Sequence, residues 1–112
     1  MQRTLIGLFL ALALTPQAHA AGDSFSLSAE QWALPHSGDA LIHLAPIRDA
    51  MAAWLATPDA HIVIQYSGSD TTGLWAGELQ DWLVALGVSA DHIDKRVSAD
   101  QPEDALTLLV KR

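Results

Sequence analysis

The stretch HIVIQYSGSDTTGLWAGELQDWLVALGV, residues 61–88, constrains the fold more than any other part of the chain. Its first six residues are mostly β-branched or apolar, which indicates a central strand that is covered on both faces. A polar turn with a single aspartate follows, and then an apolar stripe at helical spacing that ends at Gly87. This order predicts an α/β unit with Asp70 at the carboxyl end of the sheet, where open α/β sheets tend to bind ligands.

Two segments have the apolar spacing of an amphipathic helix. The first begins at Pro46, because proline suits the first position of a helix, and it ends before Pro58. We expect the second to begin near Thr72. The two stripes consist of Ile47, Met51, Trp54 and Leu55 in the first helix and of Trp75, Leu79, Trp82, Leu83 and Leu86 in the second. Each stripe predicts a helix with one face against a core.

Three further segments are predicted strands: FSLS (25–28), HIDKRV (92–97) and ALTLLV (105–110). Helical connections between strands favour neighbouring parallel pairs. The order is strand, helix, strand, helix and strand, with both 92–97 and 105–110 after the second helix. It predicts a two-layer α/β sandwich, in which both helices pack on one face of a small mixed sheet.

The segment between the first strand and the first helix is less regular. Turn-forming residues punctuate 29–39, which we interpret as a loop that Trp32 and Leu34 anchor against the core. Residues 40–44 fit either the start of a helix or an extended chain. We expect residues 21–45 to form an N-terminal strand and loop, and residues 46–112 to form the core of a single domain.

Residues 1–20 have the pattern of a signal peptide. Arg3 precedes the apolar run LIGLFLALAL, and Ala18, His19 and Ala20 fit an A-x-A cleavage site. The run is too short to span a bilayer, which needs about 20 apolar residues. The segment predicts export to the periplasm and cleavage after Ala20, with no stable membrane insertion afterwards; a membrane-anchored or N-terminally packed segment is the alternative.

Composition argues against several classes of function. Thirteen acidic and six basic residues give a formal net charge of −7, whereas nucleic-acid surfaces need clustered Lys and Arg. There is no cysteine, and no serine lies in a G-x-S-x-G motif, so the common nucleophile patterns are missing. The histidines lack the spacing of helical metal ligands. We therefore expect a protein that is not an enzyme, has no cofactor or metal, and binds no nucleic acid.

The turn SGSDTTG (67–73) and the segment DWLVALGVSADHI (81–93) resemble the C-terminal domain of the OmpA family, a βαβαβ module with which Gram-negative envelope proteins hold peptidoglycan. That family places a GHTD-x-x-G turn after its second strand, so Asp70 matches the motif aspartate and Gly73 its later glycine. The resemblance extends over about residues 44–110. It implies an OmpA-like fold and non-covalent binding to the cell wall, with Asp70 at the centre of the site.

The chain departs from the family in the turn and in the helix. Ser67 and Gly68 stand where the family has glycine and histidine. Trp75 occupies the position of the arginine that, with the aspartate, grips the diaminopimelate of the peptide stem. A guanidinium recognises a carboxylate through two parallel hydrogen bonds, which tryptophan cannot replace. The resemblance therefore implies the fold more directly than the ligand.

The candidate ligand-binding residues are Asp70, Ser67, Ser69, Thr71, Thr72 and Arg48. Asp70 either meets a ligand ammonium or bonds nearby backbone N–H groups as an Asx turn or helix N-cap. The hydroxyl residues either donate to a ligand or only form the turn. Arg48 either supplies the missing guanidinium or faces solvent.

Trp75 and Trp82 lie about two helical turns apart on one face, so they belong to the core or, if a ring is exposed, to a docking surface. Two functions follow. Binding to the cell wall predicts a polar pocket above the second strand with Asp70 exposed. A degenerate copy that acts as an adaptor for another envelope protein predicts an exposed apolar patch around a tryptophan and no pocket at Asp70.

Overall fold

The computed structural model describes residues 23–34, 36–57 and 59–112. The elements in chain order are β1 (Asp23–Ser28), α1 (Ala29–Trp32), α2 (Gly38–Ile42), α3 (Ala45–Ala56), β2 (His61–Tyr66), α4 (Asp70–Ala85), a 3-10 turn (Ala90–His92), β3 (Ile93–Val97) and β4 (Ala105–Lys111). The predicted signal peptide, residues 1–20, lies outside the described residues.

The four strands form one mixed sheet in the order β1-β4-β2-β3. β4 is antiparallel to both β1 and β2, and β2 is parallel to β3. Together with the helices this sheet confirms the predicted small α/β sandwich. The prediction of neighbouring parallel strands is confirmed for β2 and β3. It is wrong for β1 and β2, because β4 lies between these two strands. β4 is apolar at most positions and lies in the interior of the sheet: one face is buried in the core, and the other is half-buried at Thr107, Leu109 and Lys111.

The core lies between the sheet and the two long helices. α3 contacts β1 and β4, whereas α4 contacts β2 and β4. Alternate residues of the strands point into this layer, as the two-residue period of a strand requires. The strand residues of the core are Leu27, Ile62, Ile64, Ile93, Leu106, Leu108 and Val110. Burial of each large side chain contributes about 1.5–3 kcal/mol, which matters in a chain without disulfides.

The first predicted stripe is confirmed in part. Ile47 is fully buried, and Met51 and Trp54 pack partly buried against the core. Leu55 is 73% exposed, so its assignment to the core is wrong, and Ala50 is buried instead. A helix turns by about 100° per residue, so Leu55 lies at one edge of the apolar stripe that is centred on Ile47. Ala50 lies at the opposite edge of this stripe, which is close to the sheet.

The second stripe is confirmed in α4, which has 16 residues. Leu79 and Leu83 are fully buried, and the two tryptophans and Leu86 pack partly buried against them. Gly87 ends the helix with φ +114°. Gly87 N–H donates to the carbonyl of Val84 at 3.0 Å and Val88 N–H to that of Leu83 at 2.9 Å, which is a Schellman motif.

Among the described residues, no helix is long and apolar enough to cross a membrane.

The interpretation of residues 29–39 as a loop is wrong. α1 begins with a reciprocal capping box between Ser28 and Gln31, and α2 begins at the N-cap Ser37. Trp32 is buried as predicted, but Leu34 is 52% exposed and anchors nothing. Helices of four and five residues are too short to show a periodic pattern. Residues 40–44 are helical only as far as Ile42.

Candidate functional site

The turn between β2 and α4 is held by three hydroxyl groups. Ser69 is the N-cap of α4, and its Oγ accepts the N–H of Thr72 at 3.1 Å. The Oγ1 of Thr72 lies 2.7 Å from the Oγ of Ser69 and 2.9 Å from that of Ser67, and the two serine hydroxyls are 3.3 Å apart. These side chains satisfy one another and fix the shape of the turn.

Asp70 is the first residue of α4 and is exposed to solvent. The interpretation of Asp70 as the helix cap is wrong, because Ser69 occupies that position. The Asp70 carboxylate makes no hydrogen bond or ion pair with another described residue, and the first turn of the helix stabilises its negative charge. It is therefore available to a cationic group from outside at the carboxyl end of β2, where the sequence predicted it.

The other candidates in the turn differ in access. Thr72 is fully buried, so its assignment to a ligand site is wrong: the hydroxyl that would donate to a ligand closes the cap instead. Ser67 and Ser69 are half-buried and engaged in the hydroxyl cluster, whereas Thr71 is exposed beside Asp70. The side chains that this turn presents to solvent are thus those of Asp70 and Thr71.

Arg48 does not join this turn. It lies exposed on α3, where its Nε donates to the Oδ1 of its neighbour Asp49 at 3.1 Å. Trp75 packs partly buried against the core and offers no cation either. Neither of the two positions considered for the guanidinium therefore supplies one to the turn, and the free carboxylate of Asp70 is suited to recognition of an ammonium or a hydrogen-bond donor.

Gly68 and β3 shape the turn from the other side. Gly68 has φ +94°, and a Cβ added there would lie 3.0 Å from the Cγ1 of Val97. The ring of Tyr66 lies 3.8 Å from the place of a Cβ on Gly73, and the carbonyl of Tyr66 accepts the N–H of Ser98 at 2.9 Å. The left-handed φ and the close side chain of Val97 therefore both favour glycine at position 68.

The tryptophans are mostly structural. Trp82 is partly buried in the core and meets His36 edge to face at 6.5 Å, and His36 in turn lies 4.2 Å from the ring of Trp32. Trp75 is also partly buried against the core. Leu74, the neighbour of Trp75 in the chain, is 70% exposed. The exposed apolar side chain next to Trp75 is thus a leucine, and the partner surface around a tryptophan stays a prediction.

An open groove of about 380 Å³ lies between the outer face of α4 and β3. It is lined by Gly73, Leu74, Gly77, Glu78, Gln80, Asp81 and Lys95. The two glycines leave room along the helix, since a Cβ on Gly77 would meet nothing within 4 Å. Leucine, carboxylate and ammonium groups in one groove give a mixed surface that suits a polypeptide better than a small apolar ligand.

Sequence reasoning missed a cluster at the amino end of β2. His61 and His92 have ring centroids 5.2 Å apart, and His92 lies 6.4 Å from Trp54. Each histidine directly precedes an isoleucine, and those isoleucines, Ile62 and Ile93, are register partners in the parallel pair. The repeated His-Ile dipeptide at the starts of two strands is the signal that could have found this contact.

This end of the sheet also has a pocket of about 210 Å³, lined by Trp54, Leu55, Thr57, Asp59, Ala60 and His92. The Nδ1 of His61 lies 3.5 Å from the Oδ2 of Asp94. Within the part of the chain that the structure describes, no three histidines, aspartates or glutamates are placed to hold a metal ion together. Asp70 lines neither this pocket nor the groove beside α4, so of the two features that wall binding predicts, a polar pocket and an exposed Asp70, these cavities supply only the second.

The arrangement as a whole offers non-covalent contacts: a free carboxylate at the α4 turn, and a groove with an exposed leucine along the same helix. The two lie on neighbouring turns of α4, which places both candidate surfaces on one side of the molecule. Comparison with protein-family models, with curated proteins and with solved structures found no match to this chain.

Proposed function

We propose that this chain is an exported, non-enzymatic protein of the cell envelope that binds peptidoglycan non-covalently through the turn before α4. The observation that carries the proposal is the state of Asp70: its carboxylate is exposed at the start of a helix, while Ser69 performs the capping that would otherwise occupy it. The stem peptides of diaminopimelate-type peptidoglycan carry ammonium groups that such a carboxylate can pair with.

The loss of the family's arginine at position 75 sets the expected strength of this binding. Trp75 is packed against the core and Arg48 pairs with Asp49, so neither offers a ligand carboxylate a bidentate partner. An exposed ion pair alone contributes about 0–1 kcal/mol. We therefore expect weak association that becomes effective on a polymer with many repeated stems.

Co-sedimentation of the purified chain with diaminopimelate-type peptidoglycan tests the proposal. Wild-type protein should pellet, and Asp70→Asn should not. Asp81→Asn is the matched control, because it removes the same charge from an exposed carboxylate elsewhere on α4. Wild-type protein that is folded but stays in the supernatant would contradict wall binding, as would equal pelleting of all three proteins.

The second candidate is an adaptor that binds another envelope protein. The observation that favours it is Leu74, 70% exposed beside the groove along α4, because an exposed leucine in a groove is typical of protein contacts. Under this proposal Leu74→Asp abolishes the capture of a specific envelope protein by the immobilised chain, and Asp70→Asn leaves that capture unchanged. The opposite pattern would remove the adaptor from consideration.

Both candidates place the protein in the periplasm after cleavage following Ala20. Fractionation of cells that express the full chain, with N-terminal sequencing of the purified product, tests this. A product that begins at Ala21 in the periplasmic fraction is expected. A cytoplasmic product that retains residues 1–20 would contradict the proposal for either function.

A further inference from the structure

β3 forms one edge of the sheet, because it pairs with β2 and with no other described strand. Ser98 N–H donates to the carbonyl of Tyr66 across this pair. Since backbone groups alternate in direction along a strand, those of Arg96 and Asp94 also point to β2. The backbone groups of Lys95 and Val97 and the carbonyl of Ile93 then point away from the sheet.

The side chains of this edge are charged in a self-complementary order. Asp94, Lys95 and Arg96 follow one another, and all three are exposed. Asp94 and Arg96 lie on the face of the sheet opposite to α4, where Asp94 meets His61, whereas Lys95 lies on the face of α4 and lines its groove. The strand thus carries one acidic and one basic group on the same face, two residues apart.

We propose that β3 pairs antiparallel with β3 of a second copy of this chain, about a two-fold axis that passes beside Lys95. In this register Asp94 of each copy lies opposite Arg96 of the other. The outward backbone groups match as well: Lys95 bonds with Lys95 in both directions, and Val97 N–H donates to the carbonyl of Ile93 in both directions. The N–H of Ile93 already donates to Ala90, so the carbonyl of Val97, at the end of the pair, bonds to solvent.

The geometry of an antiparallel pair strengthens the charge match. Opposite residues that do not exchange hydrogen bonds, here Asp94 and Arg96, have Cα atoms only about 4.5 Å apart, so their side chains meet closely. The two Lys95 side chains would face each other on the other side of the sheet. Glu78 and Asp81 line the same groove as Lys95 in each copy, and their carboxylates offset that repulsion.

A charged edge strand is also a common way to prevent pairing between sheets. Charges of one sign would repel a second copy of the strand, however. This strand instead brings opposite charges next to each other when two copies pair antiparallel. The interface is small, so we expect a monomer–dimer equilibrium that depends on protein concentration. The inference does not rest on the proposed function, since the Asp70 turn takes no part in it.

A charge swap tests the register. Mass measurement by light scattering or sedimentation over a wide range of concentration should detect a dimer of the wild-type chain. Asp94→Arg should place two arginines opposite each other, and Arg96→Asp two aspartates, so each single variant should be monomeric. The double variant restores opposite charges and should dimerise again. A wild-type chain that stays monomeric, or single variants that dimerise as well as the wild type, would overturn the proposal.

A disulfide test is independent of charge, because the chain contains no cysteine of its own. Lys95→Cys should form a covalent dimer on mild oxidation, since a hydrogen-bonded antiparallel pair has Cα atoms about 5.5 Å apart, within disulfide reach. Arg96→Cys is the control: its two copies would be displaced along the strands, with Cα atoms about 8 Å apart, which is too far. Equal cross-linking of the two variants would overturn the register.

Discussion

The Oγ1 of Thr72 lies 2.7 Å from the Oγ of Ser69, and the same Ser69 oxygen accepts the N–H of Thr72 at 3.1 Å. This pair of contacts holds the start of α4 and leaves the adjacent carboxylate of Asp70 outside the cap. The candidate site is therefore divided between residues that maintain the turn and a residue that faces solvent. That division can be tested by measurements of stability alone.

Ser69→Ala should lower the free energy of unfolding by about 1 kcal/mol, because it removes the N-cap oxygen and leaves the N–H of Thr72 without its acceptor. Asp70→Asn should cost only about 0.3–0.5 kcal/mol, through the lost interaction with the helix dipole. Denaturant unfolding followed by circular dichroism measures both values. A larger loss for Asp70→Asn than for Ser69→Ala would show that the carboxylate is structural.

Gly68→Ala should destabilise the protein by at least about 1 kcal/mol, because position 68 has φ +94° and its Cβ would lie 3.0 Å from Val97. Gly77→Ala is the matched control in the interior of α4, where a Cβ meets nothing within 4 Å. It should stabilise the protein by about 0.5–1 kcal/mol through helix propensity. The two changes in melting temperature should have opposite signs, and equal signs would contradict the geometry of the turn.

Leu79→Ala should cost about 2–5 kcal/mol, since it leaves a cavity at a fully buried position between α4 and the sheet. In a domain of this size such a loss is a large share of the total stability. Leu74→Ala, on the opposite side of the same helix, should change stability by no more than about 0.5 kcal/mol. Urea midpoints of the two variants check this, and similar values would argue against the orientation of α4.

Trp54→Phe should cost about 1–2 kcal/mol. The indole N–H of Trp54 donates to the carbonyl of Ala60 at 3.1 Å, and Ala60 is buried, so the substitution leaves that acceptor unpaired. Trp75→Phe is the comparison, because the Trp75 indole donates to no described residue; its cost should be smaller. Thermal unfolding measures both. Equal losses would mean that packing, and not this hydrogen bond, connects α3 to the start of β2.

The local sequence pattern was enough to predict those helices and strands whose apolar spacing and end residues lie within one short stretch of the chain. Helix α4 and its end at Gly87 follow from an apolar stripe and a glycine that accepts positive φ, and β2 follows from a run of buried residues. The short helices α1 and α2 were missed because four or five residues cannot show a period. Leu55 was misplaced because its angle on the helix lies at the rim of the stripe, where the position of the sheet decides burial.

The candidate site was predicted less completely than the fold. The position of Asp70 at the carboxyl end of β2 followed from the order of strand, turn and helix. Which side chain would cap the helix did not, because Ser69 and Asp70 are both good capping residues and lie side by side. The contact between His61 and His92 joins two distant segments, so it depends on the register of β2 and β3.

The sequence by itself determined the α/β class, the two amphipathic helices and the place of the Asp70 turn, because these depend on spacing and on the conformational limits of single residues. Only the tertiary structure decided that β4 separates β1 from β2, that Thr72 is buried while Asp70 is free, and that Asp94, Lys95 and Arg96 lie along an open edge. Those outcomes depend on which distant surfaces pack together, since pairing between strands and burial are set by the whole molecule and not by neighbours in the chain.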